Sequence, residues 1–234
     1  MTHRIALAWP DARPFRAHPG PIRLLAVSDD VDPTLEHETN RRALEPIDAI
    51  VSCGDMEPDW LAFLGDAFPV PLVRVLGNHD REHPELGELV PAPIRAGMAR
   101  GLPVPLLGLS WAGRPPERGD SAAWRQAFGA YLGRAFRPGP LIVASHVPPT
   151  GAGDGPDPYH YGYDAYRWLL RRLRPPLWLH GHTTLASTVD WRVTVGRTLV
   201  VNVTHSVLVE LRPPGTSADP EAELDAARRE TSDT

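Results

Sequence analysis

Lysine is absent from this chain of 234 residues, and all 24 basic side chains are arginines. Any mechanism that depends on a lysine amine is thereby excluded. Cysteine is almost absent as well. Cys53 stands alone, so no internal disulfide framework can form, which suits a reducing compartment. No apolar run reaches the length needed to cross a bilayer, and no basic-then-apolar leader is visible. The expected setting is soluble and cytoplasmic, with no membrane partner. Positive charge is also in deficit: the formal net charge is -5, which disfavours a long nucleic acid as partner. No internal repeat is visible.

What is present is an ordinary globular composition, 42% hydrophobic and 23% charged, with 27 prolines that fit frequent rigid turns. Residues 1–212 are expected to form one domain, led in by residues 1–20 as an edge strand or extended segment. The polar stretch 213–234 is expected to be a disordered tail. Residues 22–28, 49–53, 71–76, 141–145 and 177–180 are short, nearly continuous apolar runs, as expected of strands covered on both faces. Between them lie helical patterns. Residues 33–45 start with Pro33 in the first turn and Asp32 as cap. A short helix from Pro58 carries Trp60, Leu61 and Leu64 on one face, with Gly65 as its stop. Residues 121–136 place Trp124, Phe128, Tyr131, Leu132 and Phe136 at helical spacing. A further helix, capped by Asp164, carries Tyr166, Leu169, Leu170 and Leu173. Residues 81–101 read as a long excursion forming a lid or rim. Residues 102–109 read as an edge strand because of two prolines. Residues 185–211 read as two or three antiparallel strands.

The stretch Leu72-Val-Arg-Val-Leu-Gly-Asn-His-Asp80 drives a strand into Gly77 and then presents an amide, an imidazole and a carboxylate in succession. Asn78 offers a carbonyl oxygen, His79 a titratable ring, and Asp80 a carboxylate able to orient that ring. Gly-Asn and His-Asp are also ordinary turn residues, so this stretch alone favours chemistry only modestly. Five strands, however, end in potential ligands: Asp29, Asp55, Asn78, His146 and His182. Repeated strand-then-helix order brings such ends to one edge of a sheet. Carboxylate, amide oxygen and imidazole together are the donors that a divalent transition metal of intermediate hardness takes.

Gly54-Asp55, Gly77-Asn78-His79-Asp80, Ser145-His146 and Gly181-His182, in this order, resemble the calcineurin-like metallophosphoesterase family over nearly the whole chain, from about Ile22 to Val209. The resemblance implies an α/β, four-layer αββα sandwich of two mixed sheets flanked by helices. It implies that Asp55 bridges two metals, that Asn78, His146 and His182 complete the second site, and that Asp29 belongs to the first. It further implies that His79 contacts phosphate or protonates the leaving oxygen, with Asp80 fixing its tautomer. The implied activity is hydrolysis of a phosphomonoester or small phosphodiester by metal-activated water. The expected cofactor is Mn²⁺, with Fe, Zn, Ni or Mg as other candidates. The alternative is a catalytically silent scaffold or phosphate-binding protein of the same fold.

Two departures bear on the first site. Where members of that family have Asp-x-His, this chain has Asp29-Asp30-Val31, and in place of Gly-His-x-His it has Gly181-His182-Thr183-Thr184. Both missing imidazoles belong, by resemblance, to the same ion. The second site is therefore expected to be tight and the first weak or empty. Asp30, Asp32, Thr184, His180 and His205 are conceivable substitutes, although strand alternation counts against Asp30 and His180. His160 is a candidate substrate contact, weighed equally against a surface histidine packed on its neighbouring tyrosines. Asn202 and His205 are candidates for support of the site. The arginines at 167, 171, 172 and 174 read as a solvated helix face. His3, His18, His37 and His83 read as surface residues, and Cys53 as core filler.

Overall fold

The computed structural model describes residues 2–18, 20–80, 90–114, 119–135, 138–156, 159–183 and 190–216. The apolar run Ile22–Ser28 (β2) shows why the molecule is layered. Successive side chains of a strand point to opposite faces. Leu24 and Ala26 therefore enter one core cluster, and Leu25 and Val27 another. The first cluster lies between two sheets, because it also takes Leu106, Ile142, Ala144, Leu177 and Leu179.

One sheet has the order β1 (His3–Ala8), β11 (His205–Arg212), β2, β3 (Ala49–Ser52) and β4 (Leu72–Arg74). Its pairs are parallel except β11 with β2. The other sheet runs β5 (Ala96–Met98), β6 (Leu106–Leu109), β7 (Ile142–Ser145), β8 (Leu177–His180), β10 (Thr198–Asn202) and β9 (Arg192–Val195). Its four inner strands are parallel, and both edges pair antiparallel. Helix α2 (Pro58–Ala67), with Leu35 and Leu44 from the segment around the short helix α1 (Glu38–Arg42), covers the outer face of the first sheet. Helices α3 (Gly119–Ala135) and α4 (Asp164–Leu173) cover that of the second. This is the expected sandwich of two mixed sheets flanked by helices. Among the described residues no helix is long and apolar enough to cross a membrane.

Local differences from the sequence reading have physical causes. The helix expected over 33–45 is two pieces, a 3-10 turn at Pro33–Glu36 and then α1, because His37 between them is extended. Asp32 does cap the first piece, accepting from the Thr34 amide at 3.0 Å. Gly65 does not stop α2, which runs on to Ala67. Asp164 is the first helical residue of α4 rather than its cap, a position taken by Tyr163 without a side-chain bond. β6 is an interior strand, not an edge. Its prolines precede it, and Pro105 contributes what proline still has, a carbonyl that accepts from the Ile142 amide at 2.9 Å. Part of the expected excursion is the edge strand β5, while residues 81–89 lie outside the described residues. β9 and β10 form the expected antiparallel pair, but β11 crosses to the other sheet.

Helix α3 reverses the expected face. Ala123 and Ala127 are buried against the sheet, whereas Trp124, Phe128 and Leu132 are 42%, 53% and 48% exposed. Small residues let the helix approach the sheet closely, and the displaced rings of Trp124, Phe128 and Tyr131 gather around Trp168 of α4. Phe136 and residues 217–234 of the expected tail lie outside the described residues.

His18 is not an idle surface residue. Its Nδ1 lies 3.1 Å from the Gly20 carbonyl and its Nε2 lies 2.7 Å from Asp48 Oδ1. Both partners only accept, so the geometry favours imidazolium. The bond to Asp48 raises the His18 pKa above its ordinary value, against a smaller opposing effect of burial. Because the folded value is the higher one, the contribution is full below about pH 6.5, the unfolded value, and is lost as pH rises through the folded pKa. The stability difference between wild type and His18→Ala, read from urea melts, is expected to shrink from pH 6 to about pH 8.5. A difference that grows over this range would contradict the assignment.

Candidate metal centre

Strands β2, β3 and β4 are parallel neighbours, as are β7 and β8, so their C-terminal ends collect at one rim. There the chain leaves three strands by the same sharp turn. Asp29, Asp55 and His182 all have positive φ, at 60°, 54° and 68°. Left-handed backbone costs about 1–2 kcal/mol for an ordinary L-residue, and Asp is among those that tolerate it best. The expense is offset locally. The Asp29 amide donates to the Gly54 carbonyl at 3.2 Å, and the His182 amide donates to the Asp29 carboxylate at 3.0 Å.

Two loops clamp each other reciprocally. Asp55 Oδ1 accepts the amides of His79 and Asp80, at 2.7 and 3.1 Å. Asp80 Oδ2 accepts the amides of Asp55 and Gly77, at 2.9 and 2.8 Å. Only glycine fits between them: a Cβ on Gly77 would lie 2.1 Å from Asp55 Oδ1. The clamp occupies one Asp55 oxygen and leaves Oδ2 facing His146.

His146 is fully buried, and its Nδ1 lies 2.9 Å from the Cys53 carbonyl. A carbonyl only accepts, so the Nδ1 proton is spent there. Nε2 then faces Asn78 Oδ1, 2.8 Å away, and Asp55 Oδ2, 3.2 Å away, as a donor when the ring is protonated and as a lone pair when it is neutral. His182 Nδ1 approaches the same Asn78 oxygen at 2.9 Å, while its Nε2 is buried without a hydrogen-bond partner. Four potential ligand atoms thus converge, and a cation bound among them would replace the proton on His146. A metal with bonds of about 2.1 Å separates neighbouring ligand atoms by roughly 3.0–3.4 Å, close to the spacings here. One carboxylate oxygen, one amide oxygen and two imidazole nitrogens fit a divalent ion of intermediate hardness. Asp29 lies alongside: ligand atoms of Asp29, Asp55 and His146 all fall within 4.8 Å of one another.

The electrostatics follow the same logic. Burial lowers the His146 pKa, but the Asp55 bond and the charges of Asp29 and Asp55 more than reverse this and raise it. Burial would lift Asp55, yet His146 and the His79 amide hold it below the usual carboxylate range. Burial dominates at Asp29, which is raised. His182 is pushed down to about 3, first by burial and then by the neighbouring imidazoles. It is therefore neutral, as a ligand must be.

The structure brings together Asp29, Asp55, Asn78, His146 and His182. His79 is exposed and lines the adjoining cavity, as do Asp30 and His160. Asp80 departs from its expected role: its carboxylate holds two backbone amides, and it makes no bond to the His79 ring. Asp32 is remote, bonded to Thr34, Thr2 and Ser206. His180 is buried with Nδ1 toward the Gly181 carbonyl at 2.9 Å. Asn202 supports the site by donating to the Thr183 carbonyl at 2.6 Å, and His205 lies 3.8 Å from Asp30. Thr184 is outside the described residues. Sequence reasoning missed Trp111 and Arg114, which also line the cavity. They follow β6, so the strand-end rule would have reached them had β6 not been set aside as an edge.

A family model described as calcineurin-like phosphoesterase matches residues 29–184. No curated protein sequence matches the chain. Among solved structures, one superposes with a TM-score of 0.61 at 17% identity, over 81% of this chain and 95% of its own. TT1561 of Thermus thermophilus gives a TM-score of 0.51 at 19% identity, over 79% of this chain and 90% of its own. GAP50, described as the anchor in the inner membrane complex of Plasmodium, gives a TM-score of 0.50 at 13% identity, over 78% and 71%.

Gly77→Ala is expected to cost about 1–3 kcal/mol by overpacking and to weaken metal uptake, because Asp55 must move. Gly65→Ala, inside α2 with nothing within 4 Å of the new Cβ, is expected to gain about 1 kcal/mol instead and leave metal uptake alone. Denaturant melts and metal-binding calorimetry on both variants check the pair. Equal metal affinity in wild type and Gly77→Ala would contradict the clamp.

Proposed function

The chain belongs to the calcineurin-like phosphoesterase family, and on that premise we propose that it is a divalent-metal-dependent hydrolase of a phosphomonoester or small phosphodiester. One observation carries the reading: His146, with Nδ1 bonded to the Cys53 carbonyl, turns Nε2 onto the oxygens of Asp55 and Asn78, where His182 also converges. Asp55, Asn78, His146 and His182 would hold the ion, with Mn²⁺ the first choice. A cation bound there supplies Lewis-acid chemistry, neutralising phosphate oxygens and acidifying water near neutral pH.

The remaining work falls to the chain's own groups. His79 lines the cavity and its amide is bonded to Asp55; in this reading its ring would give a proton to the departing oxygen. Asp80 sets this geometry through the backbone. No serine or cysteine nucleophile is required. Among the described residues, Asp29 and the shared Asp55 would serve a first ion. Asp30, 57% exposed in its side chain, is a poor replacement for an imidazole, and Asp32 is committed elsewhere. An oxygen-only pair holds a hard ion weakly, so one ion is bound tightly. The lone, buried Cys53 fits a cytoplasmic setting.

The missing first-site imidazoles also favour a second reading, a catalytically silent phosphate-binding scaffold. After dialysis, elemental analysis is expected to find one divalent ion per chain, and two tightly held ions would contradict the asymmetry. Bis-p-nitrophenyl phosphate and p-nitrophenyl phosphate then decide between enzyme and scaffold. Mn²⁺-stimulated turnover is expected, falling about 10²- to 10⁴-fold in His79→Ala with metal content unchanged. No turnover from a loaded centre would favour the scaffold.

A further inference from the structure

The cavity beside the metal centre has a volume of about 470 Å³, a size suited to a small ligand. Its lining residues fall into two chemical groups, a floor and a wall. The floor carries the carboxylates and imidazoles already described. The wall carries Trp111, Tyr159 and Tyr161, and the only fixed positive charge among the described lining residues, Arg114.

That wall is built, not draped. The Trp111 amide donates to the Leu76 carbonyl at 2.7 Å, directly before the Gly77 turn. The buried Tyr163 hydroxyl donates to the Gly113 carbonyl at 2.6 Å and accepts from the Ala112 amide at 3.4 Å. Gly113, at φ 101°, supplies a turn that other residues rarely adopt. Residues 111–114 are thus pinned between the end of β4 and the start of α4. Arg114 leaves this pinned segment exposed, with no hydrogen bond or ion pair to a described residue. Tyr159 is 67% exposed, and the Tyr161 ring lies edge-on to His182 at 6.2 Å.

We propose that Trp111, Tyr159 and Arg114 form a recognition wall for a phosphate ester that carries a flat aromatic ring on an ester arm, the rings taking that arm and the guanidinium a phosphate oxygen. The proposal rests on the phosphoesterase reading for the identity of the anion. The arm, of a monoester or a diester, extends beyond the phosphate held over the floor. An aromatic ring is required because tryptophan and tyrosine present flat faces, on which any aryl or nucleobase ring stacks. A guanidinium meets two phosphate oxygens at once, which a point charge does not. It also adds the positive charge that a centre with one tight ion lacks against its carboxylates.

The test is equilibrium binding of two non-hydrolysable monoanions, monomethyl phenylphosphonate and monomethyl methylphosphonate, which differ only in the ring. Calorimetry with and without Mn²⁺ reads their ratio independently of turnover. Wild type is expected to bind the phenyl compound roughly tenfold tighter or more. Tyr159→Ala at its exposed position and Trp111→Ala should each shrink that preference, with Trp111→Phe retaining it. Arg114→Ala should weaken both ligands by a similar factor. Thymidine 5′-(methyl phosphate) against the phenyl compound then distinguishes a nucleobase from a simple aryl group as the preferred ring. Equal affinity for the phenyl and methyl compounds, or a preference that survives both aromatic substitutions, would overturn the wall. Turnover of bis-p-nitrophenyl phosphate without any ring preference would leave the phosphoesterase reading intact and sink this one alone.

Discussion

The bond from His146 Nδ1 to the Cys53 carbonyl is the constraint on which the rest depends. It orients a fully buried ring so that Nε2 faces Asp55 and Asn78. The Cys53 carbonyl is itself positioned because the Cys53 amide donates to Val27 across the β2–β3 pair. A backbone ladder in one sheet thereby orients a side chain from the other. The site is a consequence of how the two sheets are stacked, and it cannot survive a change in their relative position.

Close backbone approach does the remaining positioning. Gly54, Gly77 and Gly181 each sit where a Cβ would strike a neighbouring loop, the last at 2.0 Å from Ser28 Oγ. These glycines let loops from distant parts of the chain touch through amides and carboxylates. Asp55, Asp80 and Asp29 are all held by N–H donors before any cation is considered. Their geometry is prepared in advance, which lowers the ordering cost when a charge arrives.

Much of this was legible in the sequence. β2, β3, β7 and β8 are covered on both faces, so they read as unbroken apolar runs, and their polar ends pointed to one rim. The legible part ends where a residue's effect is carried by backbone or by packing across layers. Asp80 resembled a partner for His79, yet its carboxylate serves two amides, a role that residue type alone does not reveal. The rings of α3 had the right spacing for a core face, but the neighbouring sheet left room only for Ala123 and Ala127. Pro103 and Pro105 suggested an edge, and that displaced attention from Trp111 and Arg114 at the end of an interior strand. His18 found Asp48 only through the β1–β2 connection, 30 positions along the chain.

Among the described residues four donors converge at one point with Asp29 beside them, and the proposed centre is asymmetric. Anomalous diffraction at the manganese edge, from crystals grown with Mn²⁺, reads this most directly. One strong peak is predicted, about 2.0–2.3 Å from Asp55 Oδ2, Asn78 Oδ1, His146 Nε2 and a nitrogen of His182. The absence of a peak among those four atoms at saturating metal, or a His146 ring turned so that Nδ1 no longer meets the Cys53 carbonyl, would contradict it.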